Sequence, residues 1–139
     1  MKITKQLEAP ASFIYEQIIN SVIFDIRKAT GETLRVGQLE GYEYKKQFGK
    51  NQSGRIKITR AILNEAYAFE TLTTRSDYTV SYELKALTDT SCEITYTEEA
   101  TSHGFFNQIN DMFVGTLLGW LKRKQIPVMF DAMVKQYKG

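Results

Sequence analysis

The chain has 139 residues, of which 42% are hydrophobic and 24% are charged. This composition is typical of one folded domain, which we expect to span residues 1–139, and it excludes an intrinsically disordered chain. The 18 basic and 16 acidic residues leave a net charge of +2. A charge this small excludes the strongly basic surface of a dedicated nucleic-acid-binding protein, so we predict no nucleic-acid partner.

Cys92 is the only cysteine in the sequence, and His103 is the only histidine. These counts exclude a disulfide within the chain, a zinc cluster and a Cys-x-x-Cys redox site, so we predict no metal and no cofactor. Residues 1–9 lack the apolar core of a secretory signal. The longest apolar stretch, residues 112–121, is about half of a membrane span. We therefore expect a cytoplasmic protein without a membrane span.

The first part of the chain predicts a strand and then a helix. Residues 2–8 alternate between polar and apolar side chains, as in a half-buried strand. Pro10 suits the first turn of a helix, and apolar residues then recur every three or four positions until Gly31, which favours a stop. The predicted helix covers about five turns, with a break near Asn20 and Ser21 as a possibility.

The middle of the chain changes to the period of two that is typical of strands. Turn-forming residues divide residues 38–87 into four strands, at positions 51–54, 64–65 and 76–77. A sixth strand is predicted at residues 91–100. Because every connection is short, we expect an antiparallel meander.

The helical period returns after residue 104 and continues to the end, with Pro127 as a predicted kink. The resulting fold class is α+β, a curved antiparallel sheet of about six strands wrapped around a long C-terminal helix. Such a helix buries the apolar side of the sheet, and the arrangement leaves room for a cavity between the two.

The order of elements resembles the START-like helix-grip superfamily, also called SRPBCC, over nearly the whole chain. The resemblance is carried by the Met1-Lys2-Ile3-Thr4-Lys5 strand, the helix from Pro10 and the aromatic helix from Phe105. The segment at residues 21–26 and the Ala-Thr-Gly at 29–31 resemble an uncharacterised bacterial family of unknown function within it. The resemblance implies a deep pocket that holds lipids, sterols, hormones or polyketides in different members, sometimes with chemistry. It implies no shared catalytic residues.

Alternation along the strands gives a candidate inner face that is rich in tyrosine, a residue suited to a pocket for an amphipathic ligand. The alternative is that these tyrosines fill the core or face outwards. We predict these ligand-binding residues from the sheet: Tyr44, Ile58, Arg60, Phe69, Tyr78, Tyr82, Tyr96 and Glu98. From the C-terminal helix we predict Met112, Phe113, Thr116 and Trp120.

Four polar residues fall in register with this apolar set, namely Lys46, Arg60, Thr71 and Glu98. A charge that points into a core is costly unless it is paired, so these positions predict ion pairs, strand ends or pocket residues. Arg60 with Glu98 is the preferred pair. The alternative is a β-bulge that shifts the register and turns both residues outwards.

Two further features have a functional and a structural interpretation. Basic residues concentrate between positions 45 and 60, where they favour either an anionic partner or, more simply, a solvated strand face. His103 has a natural pKa near neutrality but is most simply an exposed turn residue. Cys92 alternates with Glu93 and predicts a small buried side chain.

These features favour the binding of a small hydrophobic or amphipathic molecule between the sheet and the C-terminal helix. The first alternative is an enzyme of the cyclase, dehydratase or hydrolase kind that uses polar residues of the pocket. The second is a protein-interaction module with a filled core. We expect a monomer or a homodimer.

Overall fold

The computed structural model describes residues 1–49, 52–74, 76–102 and 124–138. The predictions that concern His103, Met112, Phe113, Thr116 and Trp120 lie outside these residues. Within the described part, none of the helices combines the length and the apolar character needed to span a membrane.

The described residues form one antiparallel sheet of six strands, in the order β1-β6-β5-β4-β3-β2. The strands are β1 (Lys2–Leu7), β2 (Glu43–Gly49), β3 (Gln52–Ile62), β4 (Ala66–Leu72), β5 (Ser76–Thr88) and β6 (Ser91–Ser102). Strands β2 to β6 pair with their neighbours in sequence, which confirms the predicted meander. Strand β1 pairs with β6, so the first and last strands in sequence are adjacent.

Helix α1 (Ala11–Thr30) is continuous, so the possible break near Asn20 and Ser21 does not occur. The Ser21 hydroxyl donates a hydrogen bond of 2.7 Å to the carbonyl of Ile18, so this polar residue is accommodated within the helix. A short 3₁₀-helix (Val36–Gln38) follows, and β2 begins at Glu43 rather than at Gln38, where the period of two was predicted to start. A second helix, α2, includes residues 124–135, and Pro127 lies inside it.

Gly31 ends α1 in the left-handed conformation, with φ of 80°, and its N–H donates to the carbonyl of Arg27 at 2.8 Å. The stop predicted from the sequence is confirmed. Because a Cβ atom disfavours this conformation, we expect Gly31→Ala to lower the free energy of unfolding by about 1 kcal/mol in urea denaturation. Gly37→Ala is the control, since Gly37 lacks a positive φ and its Cβ would meet nothing within 4 Å. Equal effects of the two substitutions would contradict this explanation.

The core lies between the inner face of the sheet and the two helices. Helix α1 contributes residues at three- and four-residue spacing, and the strands contribute alternate residues, as the two periodicities predict. The most deeply buried side chains are Leu7, Ile14, Ile26, Leu39, Ile58, Cys92, Ile94 and Phe130. Cys92 is a free, buried cysteine, as predicted.

Helix α2 is held at the β1 edge of the sheet by apolar and charged contacts. Phe130 is completely buried. The neighbouring Asp131 forms a salt bridge with Lys5 of β1, with 2.8 Å between the Asp131 Oδ1 and Lys5 Nζ atoms. The Tyr137 ring lies 5.1 Å from the ring of Phe13, which begins the apolar face of α1. The last turns of the chain are therefore part of the packed structure.

A β-bulge in β3 overturns the predicted direction of Arg60. Ile58 pairs with Phe69, but Arg60 pairs with Ala68, so one extra residue is accommodated between them. The alternation shifts by one position, and Ala61 packs against the core whereas Ile62 is 36% exposed. Arg60 is exposed. The preferred interaction of Arg60 with Glu98 is therefore wrong. The physical reason is the bulge, which turns Arg60 outwards but leaves Glu98 half-buried on the same strand face as Tyr96.

Two of the predicted turns are also displaced. Gln52, which was assigned to a turn, begins β3 and pairs with Gly49. Ser76 and Asp77 begin β5, and the turn precedes them, where the Ser76 N–H donates to the Thr73 hydroxyl at 3.0 Å. The turn at residues 64–65 is confirmed, with Asn64 at a positive φ of 60°.

Candidate ligand-binding cleft

A cleft of about 370 Å³ lies between helix α1 and the inner face of the sheet. Its size is within the range of pockets that hold small molecules. The residues that line it come from one helix and four adjacent strands: Ile18, Ser21, Val22, Asp25, Lys46, Ile56, Tyr67, Phe69, Thr71 and Tyr82.

The helical wall of the cleft follows directly from the period of α1. Ile18, Val22 and Asp25 are separated by four and three residues, which places them on one face over two turns. Ile18 is buried, and Val22 and Asp25 are half-buried. Asp25 thus places a carboxylate beside Ile18 and Val22, on the side of the helix that faces the sheet.

Asp25 is the centre of a polar cluster at the edge of the cleft. One carboxylate oxygen, Oδ1, accepts a hydrogen bond of 2.6 Å from the Lys46 ammonium group. The other, Oδ2, accepts a bond of 2.7 Å from the Tyr44 hydroxyl. Because Lys46 and Tyr44 both lie on β2, the cluster joins α1 to that strand. It also compensates the charges of Asp25 and Lys46 within the wall of the cleft.

The pKa of Asp25 lies below its ordinary value. Burial alone would raise this pKa, but the hydrogen bonds from Lys46 and Tyr44 and the positive charges of Lys46 and Lys28 outweigh that effect. Asp25 is therefore a carboxylate at neutral pH. Burial, reinforced by the hydrogen bond to Asp25, raises the pKa of Tyr44, whose hydroxyl thus stays a donor.

Three tyrosines form a row across adjacent strands on the inner face. Tyr67 of β4 pairs with Tyr82 of β5, which pairs with Tyr96 of β6. The rings of Tyr67 and Tyr82 are stacked with centroids 6.2 Å apart, and those of Tyr82 and Tyr96 meet edge to face at 5.2 Å. Phe69 extends the row, 5.8 Å from Tyr67. Such cross-strand aromatic pairs stabilise the sheet and give the cleft a wide aromatic wall.

The hydroxyl groups of this row lie in different surroundings. Burial and the nearby Glu98 carboxylate raise the pKa of Tyr96. Within the described part of the chain, the hydroxyls of Tyr67 and Tyr82 have no hydrogen-bond partner. Burial raises the pKa of Tyr67, and burial together with the charge of Glu98 raises the pKa of Tyr82 to about 12. Both hydroxyls therefore remain protonated at neutral pH and are available as donors.

The structure brings together part of the predicted site. Phe69 and Tyr82 line the cleft, Tyr44 adjoins it through Asp25, and Tyr96 and Glu98 continue the tyrosine row. Tyr78 is half-buried on β5, opposite Thr71. Ile58 is completely buried in the core. Arg60 is not near the cleft, for the reason given above. Binding by these residues stays a prediction.

The contribution of α1 to the candidate site was not predicted from the sequence. Asp25 could have been found, because it lies seven residues after Ile18 and therefore on the same face of the helix. Lys46 and Thr71 had been recognised as polar residues that point inwards, and both line the cleft. Among the described residues, no group of three His, Cys, Asp or Glu side chains could hold a metal ion.

A comparison with protein families gives a match over most of the chain. The family described as Domain of unknown function (DUF3284) matches residues 1–119. No curated protein matches the sequence.

Several solved structures share the fold at low sequence identity. A point mutant of norcoclaurine synthase from Thalictrum flavum, in complex with a transition-state analogue, aligns with a TM-score of 0.64 and 10% identity, over 100% of this chain and 95% of that one. The Zhui aromatase/cyclase from Streptomyces sp. R1128 aligns with a TM-score of 0.57 and 9% identity, over 98% and 91%. CalU16 from Micromonospora echinospora aligns with a TM-score of 0.53 and 16% identity, over 97% of this chain and 80% of that one. These similarities confirm the predicted helix-grip fold.

Proposed function

We propose that this chain, which belongs to the DUF3284 family and has the START-like helix-grip fold, binds a small hydrophobic or amphipathic molecule in the cleft between α1 and the sheet. The observation that carries the proposal is the cleft of about 370 Å³, with apolar and aromatic walls and a few polar groups at defined positions. Pockets for small molecules have this combination of a large apolar surface and a small number of orienting polar groups.

Apolar and polar residues of the lining contribute differently to ligand binding. Ile18, Val22, Ile56 and Phe69 offer apolar surface, and each Å² of apolar ligand surface that they bury contributes roughly 25 cal/mol before the costs of ordering. The polar groups contribute less affinity but fix the orientation of the ligand, because a buried polar group left without a partner is costly.

The fold is compatible with this function. Norcoclaurine synthase from Thalictrum flavum and the Zhui aromatase/cyclase from Streptomyces sp. R1128 place small-molecule chemistry on the same fold. At identities of 10% and 9%, they support a small-molecule pocket in this chain and no particular ligand or reaction.

The proposal is tested with the uncharged fluorescent probe N-phenyl-1-naphthylamine. We expect a saturable rise in its fluorescence with the unaltered protein. Val22→Trp should weaken binding by at least about tenfold, because the indole ring fills part of the cleft that the probe would occupy.

Phe24→Trp is the matched control, because Phe24 lies on the same helix but is 67% exposed and is not part of the cleft lining. This variant should bind the probe with unchanged affinity. Equal affinities of the Val22 and Phe24 variants would show that the probe binds elsewhere, and the complete absence of binding by the unaltered protein would refute the proposal.

A further inference from the structure

We infer that the ligand is an uncharged, largely aromatic molecule that carries a carbonyl-type oxygen, which accepts hydrogen bonds from the hydroxyls of Tyr67 and Tyr82. This inference rests on the proposed function and specifies the chemical class that the same cleft selects. It is carried by three observations: two hydroxyl donors in the cleft that have no hydrogen-bond partner among the described residues, a charged pair of Asp25 and Lys46 whose charges compensate each other, and a row of aromatic rings.

The two donors define what the ligand must supply. Tyr67 is buried, and Tyr82, its direct partner across the β4–β5 ladder, is half-buried; both residues line the cleft. Neither hydroxyl has a hydrogen-bond partner in the part of the chain that the structure describes. Among the described residues only the Tyr15 hydroxyl is both fully buried and unpartnered, so the hydroxyls of Tyr67 and Tyr82 are accessible, and an acceptor on a ligand in the cleft can pair with them. Their raised pKa values keep them protonated, so they act as donors.

The charged groups of the lining favour a ligand without a net charge. The Lys46 ammonium group and the Asp25 carboxylate lie 2.6 Å apart, and the second carboxylate oxygen accepts from Tyr44. An anionic ligand would have to replace Asp25 as the partner of Lys46, and it would also meet the Asp25 carboxylate. A cationic ligand would have to displace Lys46. Either exchange gives up a charge-assisted hydrogen bond, whereas a neutral ligand leaves the cluster intact.

The aromatic row determines the shape of the apolar part. Phe69, Tyr67 and Tyr82 follow one another across two adjacent strands, with successive ring centroids 5.8 Å and 6.2 Å apart. Planar rings pack favourably against such a surface in offset or edge-to-face arrangements. An aromatic ring that lies on this wall brings an attached carbonyl oxygen towards the two hydroxyls.

The inference is tested with four probes that share one ring system: naphthalene, 2-acetylnaphthalene, 2-naphthoate and 2-naphthylmethylamine. Their dissociation constants are measured at neutral pH by equilibrium dialysis with absorbance detection. We expect 2-acetylnaphthalene to bind at least about tenfold more tightly than naphthalene, because it adds the acceptor. We expect both charged probes to bind more weakly than 2-acetylnaphthalene. This ranking uses the unaltered protein and needs no variant.

Variants then assign the preference to the two hydroxyls. In the double variant Tyr67→Phe with Tyr82→Phe, the advantage of 2-acetylnaphthalene over naphthalene should fall to within about threefold, while naphthalene itself still binds. Tyr78→Phe is the matched control, since it removes a hydroxyl from the same strand at a residue outside the cleft lining, and it should preserve the advantage. Retained binding of naphthalene shows that a variant is folded.

The outcomes separate the inference from the function on which it rests. Failure of all four probes to bind would overturn the proposed cleft and the inference together. Binding of naphthalene without a preference for 2-acetylnaphthalene, or tighter binding of a charged probe, would overturn the inference alone. A preference that survives in the double variant would also overturn it.

Discussion

Replacing Phe130 by alanine is expected to lower the free energy of unfolding by about 3 to 5 kcal/mol. The side chain is 0% exposed and joins the C-terminal helix to the core. Its removal gives up the buried apolar surface of the ring and leaves a cavity that the surrounding side chains fill only in part. The measurement is urea denaturation at neutral pH, followed by circular dichroism.

Val128→Ala is the control for this experiment. Val128 lies two residues earlier in the same helix but is 65% exposed, so its truncation should change stability by less than about 0.5 kcal/mol. Both substitutions introduce alanine into the same helix, and the contrast therefore isolates burial from helix propensity. A loss no larger in the Phe130 variant than in the Val128 variant would contradict the packing of α2 described above.

Replacing Asp25 by asparagine is expected to lower the free energy of unfolding by about 1 to 2 kcal/mol. The substitution keeps the shape of the side chain but removes the charge that holds Lys46 and strengthens the bond from Tyr44. Asp131→Asn is the control, because it breaks a salt bridge to Lys5 whose acidic side chain is 56% exposed, against 32% for Asp25. Exposed pairs contribute little, so this control should lose less than about 0.5 kcal/mol.

The contribution of Asp25 depends on pH in a defined direction. Its pKa is lowered on folding, so the unfolded carboxylate takes up a proton first as the pH falls. The stabilisation is therefore complete above 3.8, the ordinary pKa of the group, and is lost as the pH falls below that value through the folded pKa. The difference in melting temperature between the unaltered protein and Asp25→Asn should accordingly stay nearly constant from pH 7 down to about pH 4 and narrow as the pH falls below 3.8. A difference that does not narrow there would show that the charge of Asp25 has no stabilising role.

Local rules predicted much of the fold from the sequence. The period of two in β4 to β6 placed Tyr82 and Tyr96 on the inner face, and Gly31 marked the end of α1, because these features depend on neighbouring residues alone. Hydrophobic spacing likewise identified the buried face of α1, including Ile14 and Ile18.

The features that escaped prediction depend on tertiary structure. The bulge between Ile58 and Arg60 carries no distinctive residue, and one extra position was enough to turn Arg60 outwards. The ion pair of Asp25 with Lys46 joins residues 21 positions apart, and only the packing of α1 against β2 reveals it. The cleft beside α1 depends on how this helix packs on the sheet, and the predicted cavity beside residues 112–121 lies outside the described residues and stays a prediction.

The central claim, that the cleft beside α1 binds an apolar ligand, is tested most directly by methyl NMR. The isoleucine δ1-methyl groups are labelled, assigned and titrated with 2-acetylnaphthalene. Ile18 and Ile56 line the cleft, whereas Ile62 lies on the exposed side of β3 beyond the bulge. Our account predicts saturable shifts at Ile18 and Ile56 and an unchanged Ile62 signal. Saturable shifts confined to other isoleucines, or no saturable shift at all, would contradict it.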